Sequence, residues 1–196
     1  MPSERVREGF DLTEFMKQVD GQKFPPVEKW EPAFCGDIDM RIASDGTWFY
    51  MGTPIGRQKM VKLFASVLRK DPDGKTYLLT PVEKIGISVD DAHFVATGVE
   101  VADGDAGQTL CFTTNVGDKV VAGAAHPIRV DVDTQTGEPR PYIGVRGRLE
   151  ALIARPVYYE LIERGTVEDE SGISRCSIES GGICFSLGEW PEGGSR

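Results

Sequence analysis

Apolar residues along this chain recur mostly in short alternating runs, separated by turn signals. Ile38, Met40 and Ile42 alternate with Asp37, Asp39 and Arg41, the period-two pattern of a strand with one buried face. Asp45-Gly46 supplies a turn, and Thr47-Trp-Phe-Tyr-Met51 reads as the returning strand. Thr53-Pro54 then reads as helix cap and first helical position, and Met60, Leu63, Phe64, Val67 and Leu68 form a buried helical stripe. That helix stops at Asp71-Pro72-Asp73-Gly74, and Thr76 to Thr80 and Lys84 to Val89 follow as strands. From His93 to Ala125 the pattern predicts three antiparallel strands, turning at 103–107 and 115–118. Earlier in the chain, Leu12, Phe15, Met16 and Val19 predict an amphipathic helix behind an Asp11/Glu14 capping box. Phe24-Pro25-Pro26 predicts an extended linker, with Trp30 and Phe34 as its anchors to the core.

The pattern repeats. Ile128 to Val132, a turn at Thr136-Gly137 and Arg140 to Ile143 form a second hairpin like the first. Gly46 aligns with Gly137, Tyr50 with Tyr142, Gly52 with Gly144, Gly56 with Gly147 and Arg57 with Arg148, at an offset of 91 or 92. A second helix is expected from near Gly147, carrying Leu149, Leu152 and Ile153. Pro156 is expected to break or kink it, with a further helical turn over Val157 to Ile162. Glu168 to Glu170 reads as an acidic loop. Ile173 to Ile178 and Ile183 to Leu187 read as a closing hairpin about Gly181-Gly182, and residues after Glu189 as a disordered tail.

The expected fold class is α+β. Two related hairpin-helix-hairpin halves carry antiparallel sheets, over 1–90 and 91–196, and extra strands enlarge the second half.

Composition narrows function by exclusion. The chain has 196 residues, 40% of them hydrophobic, enough for one large domain or two small ones. A net charge of -9 opposes general nucleic-acid binding, which rests on cations neutralising phosphates. The polar first residues and the lack of a run of roughly 18 apolar residues give neither signal peptide nor membrane span. The expected location is the cytoplasm, where Cys35, Cys111, Cys176 and Cys184 stay reduced; none of them falls in a CxxC motif.

No motif names a reaction. Gly52-x3-Gly56-Arg57 lacks the spacing and the Lys-Ser/Thr of a phosphate-binding P-loop. His93 and His126 fall at no metal-ligand spacing, and each reads as a strand-end histidine bonded to backbone. No Gly-x-Ser-x-Gly elbow is present, and Cys35 has no adjacent base. The acidic residues Asp37, Asp39, Asp131 and Asp133 read as the wet face of two hairpins. No catalytic residue, metal ligand or cofactor is assigned.

What remains is a set of cations at two expected strand-to-helix junctions, where helix amides favour negative charge. Arg57, Arg146 and Arg148, with His126, Arg129 and Tyr142 nearby, are the candidate binding residues. The expectation is a small anionic ligand held in a cleft between the halves. A protein-interaction adaptor in signalling and a hydrolase-like enzyme are the alternatives. The oligomeric state is left open.

Three stretches also carry a resemblance: Cys35-Gly-Asp-Ile-Asp-Met-Arg-Ile42, Asp45-Gly-Thr-Trp-Phe-Tyr-Met-Gly-Thr-Pro-Ile-Gly-Arg57 and Leu79-Thr-Pro-Val-Glu-Lys84. Together they resemble a bacterial family of unknown function, DUF1285, over nearly the whole chain. The resemblance includes His126 to Arg129 and the Tyr142 to Leu161 region. It implies a two-part α+β fold with repeated motifs and a role in ligand sensing or signalling. It also implies a closing Gly-aromatic strand, Ser180 to Gly188, with Cys184 where an aromatic residue is expected. It implies no catalytic residue.

Overall fold

The computed structural model describes residues 25–104 and 107–191. The predicted helix around Leu12 to Val19 lies outside them. Strands make up 55% of the described residues and helices 13%, so the fold is far richer in β-structure than an even α+β mixture. The chain divides into two compact units. One runs through His93 and includes Gly147–Leu149; the other takes Phe94–Arg146 and resumes at Glu150.

The first unit opens with a single 3-10 turn, Val27–Lys29, followed by β1 (Phe34–Ile42), β2 (Trp48–Tyr50) and β3 (Thr53–Pro54). Helix α1 (Gln58–Ser66) leads into β4 (Leu68–Lys70), β5 (Thr76–Leu79) and β6 (Lys84–Val89). The sheet order is β3-β2-β1-β6-β5-β4: two antiparallel meanders joined through one parallel pair, β1 with β6. The predicted alternation in β1 holds, with Ile38, Met40 and Ile42 buried. Phe64 of α1 is fully buried and stacks on Trp48 at 6.1 Å between ring centroids.

Three expectations are corrected here. Thr53-Pro54 is not a helix start but a short edge strand, because Met51 (φ 49°) and Gly52 (φ 71°) form a tight two-residue turn after β2. Helix α1 begins only after Arg57 and ends at Ser66, so Val67 and Leu68 are buried beyond it, Leu68 as the first residue of β4. Phe34 is more than half exposed, with its edge against Tyr77, rather than a core anchor. The linker is instead fastened by Arg69, whose buried guanidinium donates to the carbonyls of Val27 (2.9 Å) and Trp30 (2.7 Å).

The second unit holds β7 (Phe94–Gly104), β8 (Gly107–Thr114) and β9 (Lys119–Val121), the three strands expected from the pattern. It continues with β10 (Ile128–Val132), β11 (Pro139–Arg146) and β12 (Leu149–Ile153). These six form one sheet in the order β10-β11-β12-β7-β8-β9, again two meanders joined by a parallel pair, β12 with β7. The helix predicted from Gly147 is therefore a strand. Gly147 (φ 52°) and Arg148 turn the chain back, and Leu149, Ala151 and Ile153 are buried alternately. The apparent helical spacing of Leu149, Leu152 and Ile153 hid that period of two.

Helix α2 (Arg155–Arg164) follows, and Pro156 starts it instead of breaking it, since the first helical turn needs no N–H from that residue. The closing three-stranded sheet is β13 (Thr166–Glu170), β14 (Ile173–Ser180) and β15 (Ile183–Pro191). The predicted hairpin about Gly181-Gly182 is present. The expected acidic loop at Glu168 is the strand β13, and of the tail expected after Glu189, Trp190 and Pro191 are in β15. Buried Ser180 ties this sheet to β8: its hydroxyl accepts from Leu110 N at 3.0 Å and donates to Ala122 O at 2.8 Å.

The sequence repeat survives at the level of element order. Meander, helix, meander describes β1 to β6 and also β10 to β15, with β7 to β9 as the extra strands. The pairing differs, because β6 joins β1 whereas β13, β14 and β15 form a sheet of their own.

Two outcomes test this account. Burial would raise the Asp71 carboxyl, but hydrogen bonds from Arg69 and Lys84, and their charges, hold it below its ordinary value. A depressed folded-state value means the stabilisation is present above the unfolded value of about 3.9 and is lost as pH falls through the folded one. Asp71→Asn should cost about 1.5–3 kcal/mol at neutral pH. In urea titrations the gap from the wild type should close below roughly pH 4. Phe64→Ala, which empties the stack on Trp48, should cost about 3–5 kcal/mol in the same measurement.

Candidate functional site

The first unit contains a cavity of about 590 Å³, within the roughly 300–1,000 Å³ range of small-molecule sites. Its polar lining comes from β1, β4, β5 and β6 and the segments beside them. Asp37 and Asp39 stand on β1, Lys70 on β4, Lys75 and Thr76 at the start of β5, and Ser88 on β6. Asp91 and His93 come from the segment after β6. Ile38, Ile87, Val89 and the exposed Met51 complete the wall.

Local structure explains how charged residues come to face a cavity. Asp37 lies opposite Gly86 in the parallel pair, with register shifts on either side of it. A Cβ at Gly86 would fall 1.8 Å from Asp37 Oδ1, so the carboxylate occupies room that only glycine leaves. The turn Asp71 to Lys75 brings the second charge sign. The Asp73 carboxylate accepts from Lys75 N (2.9 Å) and from the Tyr77 hydroxyl (2.7 Å), which fixes the turn. Burial and this hydrogen bond push the Tyr77 phenol well above its ordinary value, so it stays protonated and keeps donating.

At the inner end, His93 is only 3% exposed, and its Nε2 lies 3.0 Å from Thr76 Oγ1. Its imidazole meets a side-chain hydroxyl that itself lines the cavity. Among the described residues, Asp37, Asp39, Lys70 and Lys75 enter no ion pair. The arrangement therefore offers carboxylates and ammonium groups in one concave space.

The six residues singled out from sequence fare differently. Arg129 is clamped by Glu150, with Nε and one terminal nitrogen each 2.8 Å from a carboxylate oxygen, and it also pairs with Asp131. Its guanidinium stacks 4.3 Å from the ring centre of Tyr142, so those two residues are brought together, as a structural pair. Arg146 binds Asp118 at 2.9 Å and lies over Phe94. His126 meets the backbone as expected, with Nδ1 3.1 Å from Gly144 O. Arg57 occupies the position just before α1 and Arg148 sits in the β11–β12 turn; both side chains are exposed. The premise that Arg146 and Arg148 stand at a helix start is corrected, because that segment is a β-hairpin. None of the six lines either described cavity.

The second cavity, about 310 Å³, lies within the other unit. Arg140, Pro139 and Pro141 of β11, Arg155, Tyr158 and Tyr159 of α2, and the end of β12 enclose it. Glu138 pairs there with Arg155 at 3.0 Å.

In sequence Asp37 and Asp39 read as a wet face, and no pattern joins them to Lys70, Lys75, Thr76, Asp91 and His93. The signal available was the turn 71–75, rich in charge and set between buried strands. Nothing in a one-dimensional pattern aligns that turn with β1. Among the described residues no helix is long and apolar enough to cross a membrane, and no cluster of His, Cys, Asp and Glu could hold a metal ion.

Comparison with known proteins agrees with the two-part build. Residues 25–92 match "Domain of unknown function (DUF1285), N-terminal domain", and 93–187 match "Protein of unknown function (DUF1285), C-terminal domain". No curated protein matches. The crystal structure of a DUF1285 family protein from Silicibacter pomeroyi DSS-3 is similar, at 50% identity and a TM-score of 0.83. It covers 92% of this chain, and this chain covers 96% of that one. A DUF1285 family protein from Shewanella baltica OS155 is similar at 27% identity and a TM-score of 0.51, over 63% of this chain and 90% of its own. With both of the family's domains matched in order along the described chain, this protein belongs to the DUF1285 family.

Proposed function

We propose that this protein binds a small zwitterionic molecule, of the amino-acid or short-peptide kind, in the cavity of its first unit. One observation carries the reading: Asp37, Asp39, Lys70 and Lys75 line one 590 Å³ space and, among the described residues, enter no ion pair. Charges left unpaired at the rim of a cavity keep their hydration and surrender it to a complementary ligand. At 4 Å a unit charge pair is worth about 4 kcal/mol at the effective dielectric of a protein surface. Asp37 and Asp39 suit the ligand's amine, and Lys70 and Lys75 its carboxylate. Buried His93 and Thr76 close the inner end with hydrogen-bonding groups. The proposed role is recognition, with the Thr76 hydroxyl and His93 Nε2, 3.0 Å apart, as binding groups.

A second reading, an anionic ligand at Arg57 and Arg148, is favoured by the exposure of both side chains and the lack of an ion pair to either among the described residues. Thermal-shift titration with zwitterions, simple carboxylates, simple amines and inorganic phosphate separates the two. A bound ligand stabilises by RT ln(1+[L]/Kd), about 2.7 kcal/mol at a hundredfold excess over Kd. Zwitterions should stabilise the wild type, each half-ligand should bind about tenfold more weakly or less, and Asp37→Asn and Lys75→Met should each abolish the response. If phosphate alone raises the melting temperature, and Arg57→Met with Arg148→Met removes that effect, the zwitterion reading falls.

A further inference from the structure

The two cavities occupy the same corner of their respective sheets. In the order β3-β2-β1-β6-β5-β4, the first cavity lies at the start of β5 and the end of β6. In the order β9-β8-β7-β12-β11-β10, the second lies at the start of β11 and the end of β12. In both sheets those strands are the later member of the parallel pair and its outer neighbour. What differs is the segment that leaves the corner. After β6 it is a short bent segment bearing Asp91 and His93; after β12 it is α2, which brings two tyrosines and an arginine.

We infer that the second cavity is a separate ligand site, for a planar ring carrying one anionic group. Its cations are Arg140 and Arg155, set against the single carboxylate of Glu138. The Arg155–Glu138 pair is exposed on both sides, 65% and 60%. A pair of that kind is worth only about 0–1 kcal/mol, so an incoming anion exchanges for Glu138 at little cost. Guanidinium suits this exchange because it offers two parallel donors to a carboxylate or phosphate.

The rest of the wall selects the ligand's body. The Tyr158 hydroxyl is committed to Leu187 O, so this residue presents only its ring. Tyr159 stands beside it, with ring centres 6.4 Å apart, and is 55% exposed, an unusual position for a large aromatic side chain. Pro139 and Pro141 face them from β11. Aromatic rings stack on such surfaces with gains of about 0.5–1.5 kcal/mol beyond area burial. A volume of about 310 Å³ admits one ring with its substituent and excludes much larger molecules.

Phenyl phosphate is the probe, with inorganic phosphate as its ringless control, both titrated calorimetrically against the full chain. Phenyl phosphate should bind saturably and at least tenfold more tightly than phosphate. Arg155→Met and Tyr159→Ala should each weaken it by tenfold or more, and Asp37→Asn in the other cavity should leave it unchanged. Both altered residues are exposed, so unchanged melting temperatures confirm that the variants are folded. Tyr159→Phe, which keeps the ring, should retain binding and guards against a loss caused by repacking of α2. The inference is overturned by no saturable binding to the wild type, by equal affinity for phosphate, or by undiminished binding in folded Arg155→Met. Because the sites share no residue, failure here leaves the zwitterion reading of the first cavity standing.

Discussion

The parallel pairing of β1 with β6 is the constraint on which the first unit depends. It joins the opening strand to the last one of the sheet across about forty residues of intervening chain, a closure that costs roughly 3 kcal/mol of loop entropy. Burial offsets that cost: Ile38, Met40 and Ile42 on one strand and Ile85 on the other are all in the core. The same pairing places Asp37 against Gly86 and so turns a carboxylate into a cavity. In the second unit β7 and β12 repeat the device, and the chain that leaves β12 becomes a helix. One construction thus gives two corners, and the departing segment sets the chemistry of each.

Charge in this protein divides into two kinds. Much of it is spent on the fold. Arg69 holds the Val27 and Trp30 carbonyls with Asp71 beside it, Lys84 covers the Tyr77 ring at 4.0 Å, and Arg129 is gripped by Glu150. Buried Arg69, stripped of such partners, would carry its whole desolvation cost, so its pairing belongs to the fold. The remainder, around Asp37, Asp39, Lys70 and Lys75, has no such obligation. Lys70 and Lys75 stand beside Asp37 and Asp39 in the lining of one cavity, the arrangement on which the proposed zwitterion site rests.

Much of the architecture was legible in sequence where period and punctuation agreed. Ile38-x-Met40-x-Ile42, the hairpin about Gly181-Gly182 and the three strands from Phe94 all followed from alternation between turn signals, because a sheet with one wet face demands it. Legibility failed where two periods overlapped. Leu149, Leu152 and Ile153 satisfy a helical spacing, yet Leu149, Ala151 and Ile153 satisfy a strand, and pairing with β7 decided between them. Pro54 and Pro156 show the same limit: each fits a helix start, and only Pro156 is one, because the Met51-Gly52 turn had already committed Thr53-Pro54 to pairing with β2.

By itself the sequence determined the two-part order of meander, helix and meander, the buried faces of most strands, and the inclusion of the chain in its family. Those depend on neighbours along the chain, where side-chain period and turn chemistry act. Tertiary structure alone decided which strands pair, and hence which charges stand unpaired in a cavity. Arg57 and Arg148 correspond in sequence but stand just before a helix and in a hairpin turn. Asp37 and Lys75, with no resemblance in pattern, share one cavity. Contacts across the sheet are set by long-range pairing, and no local period carries that information.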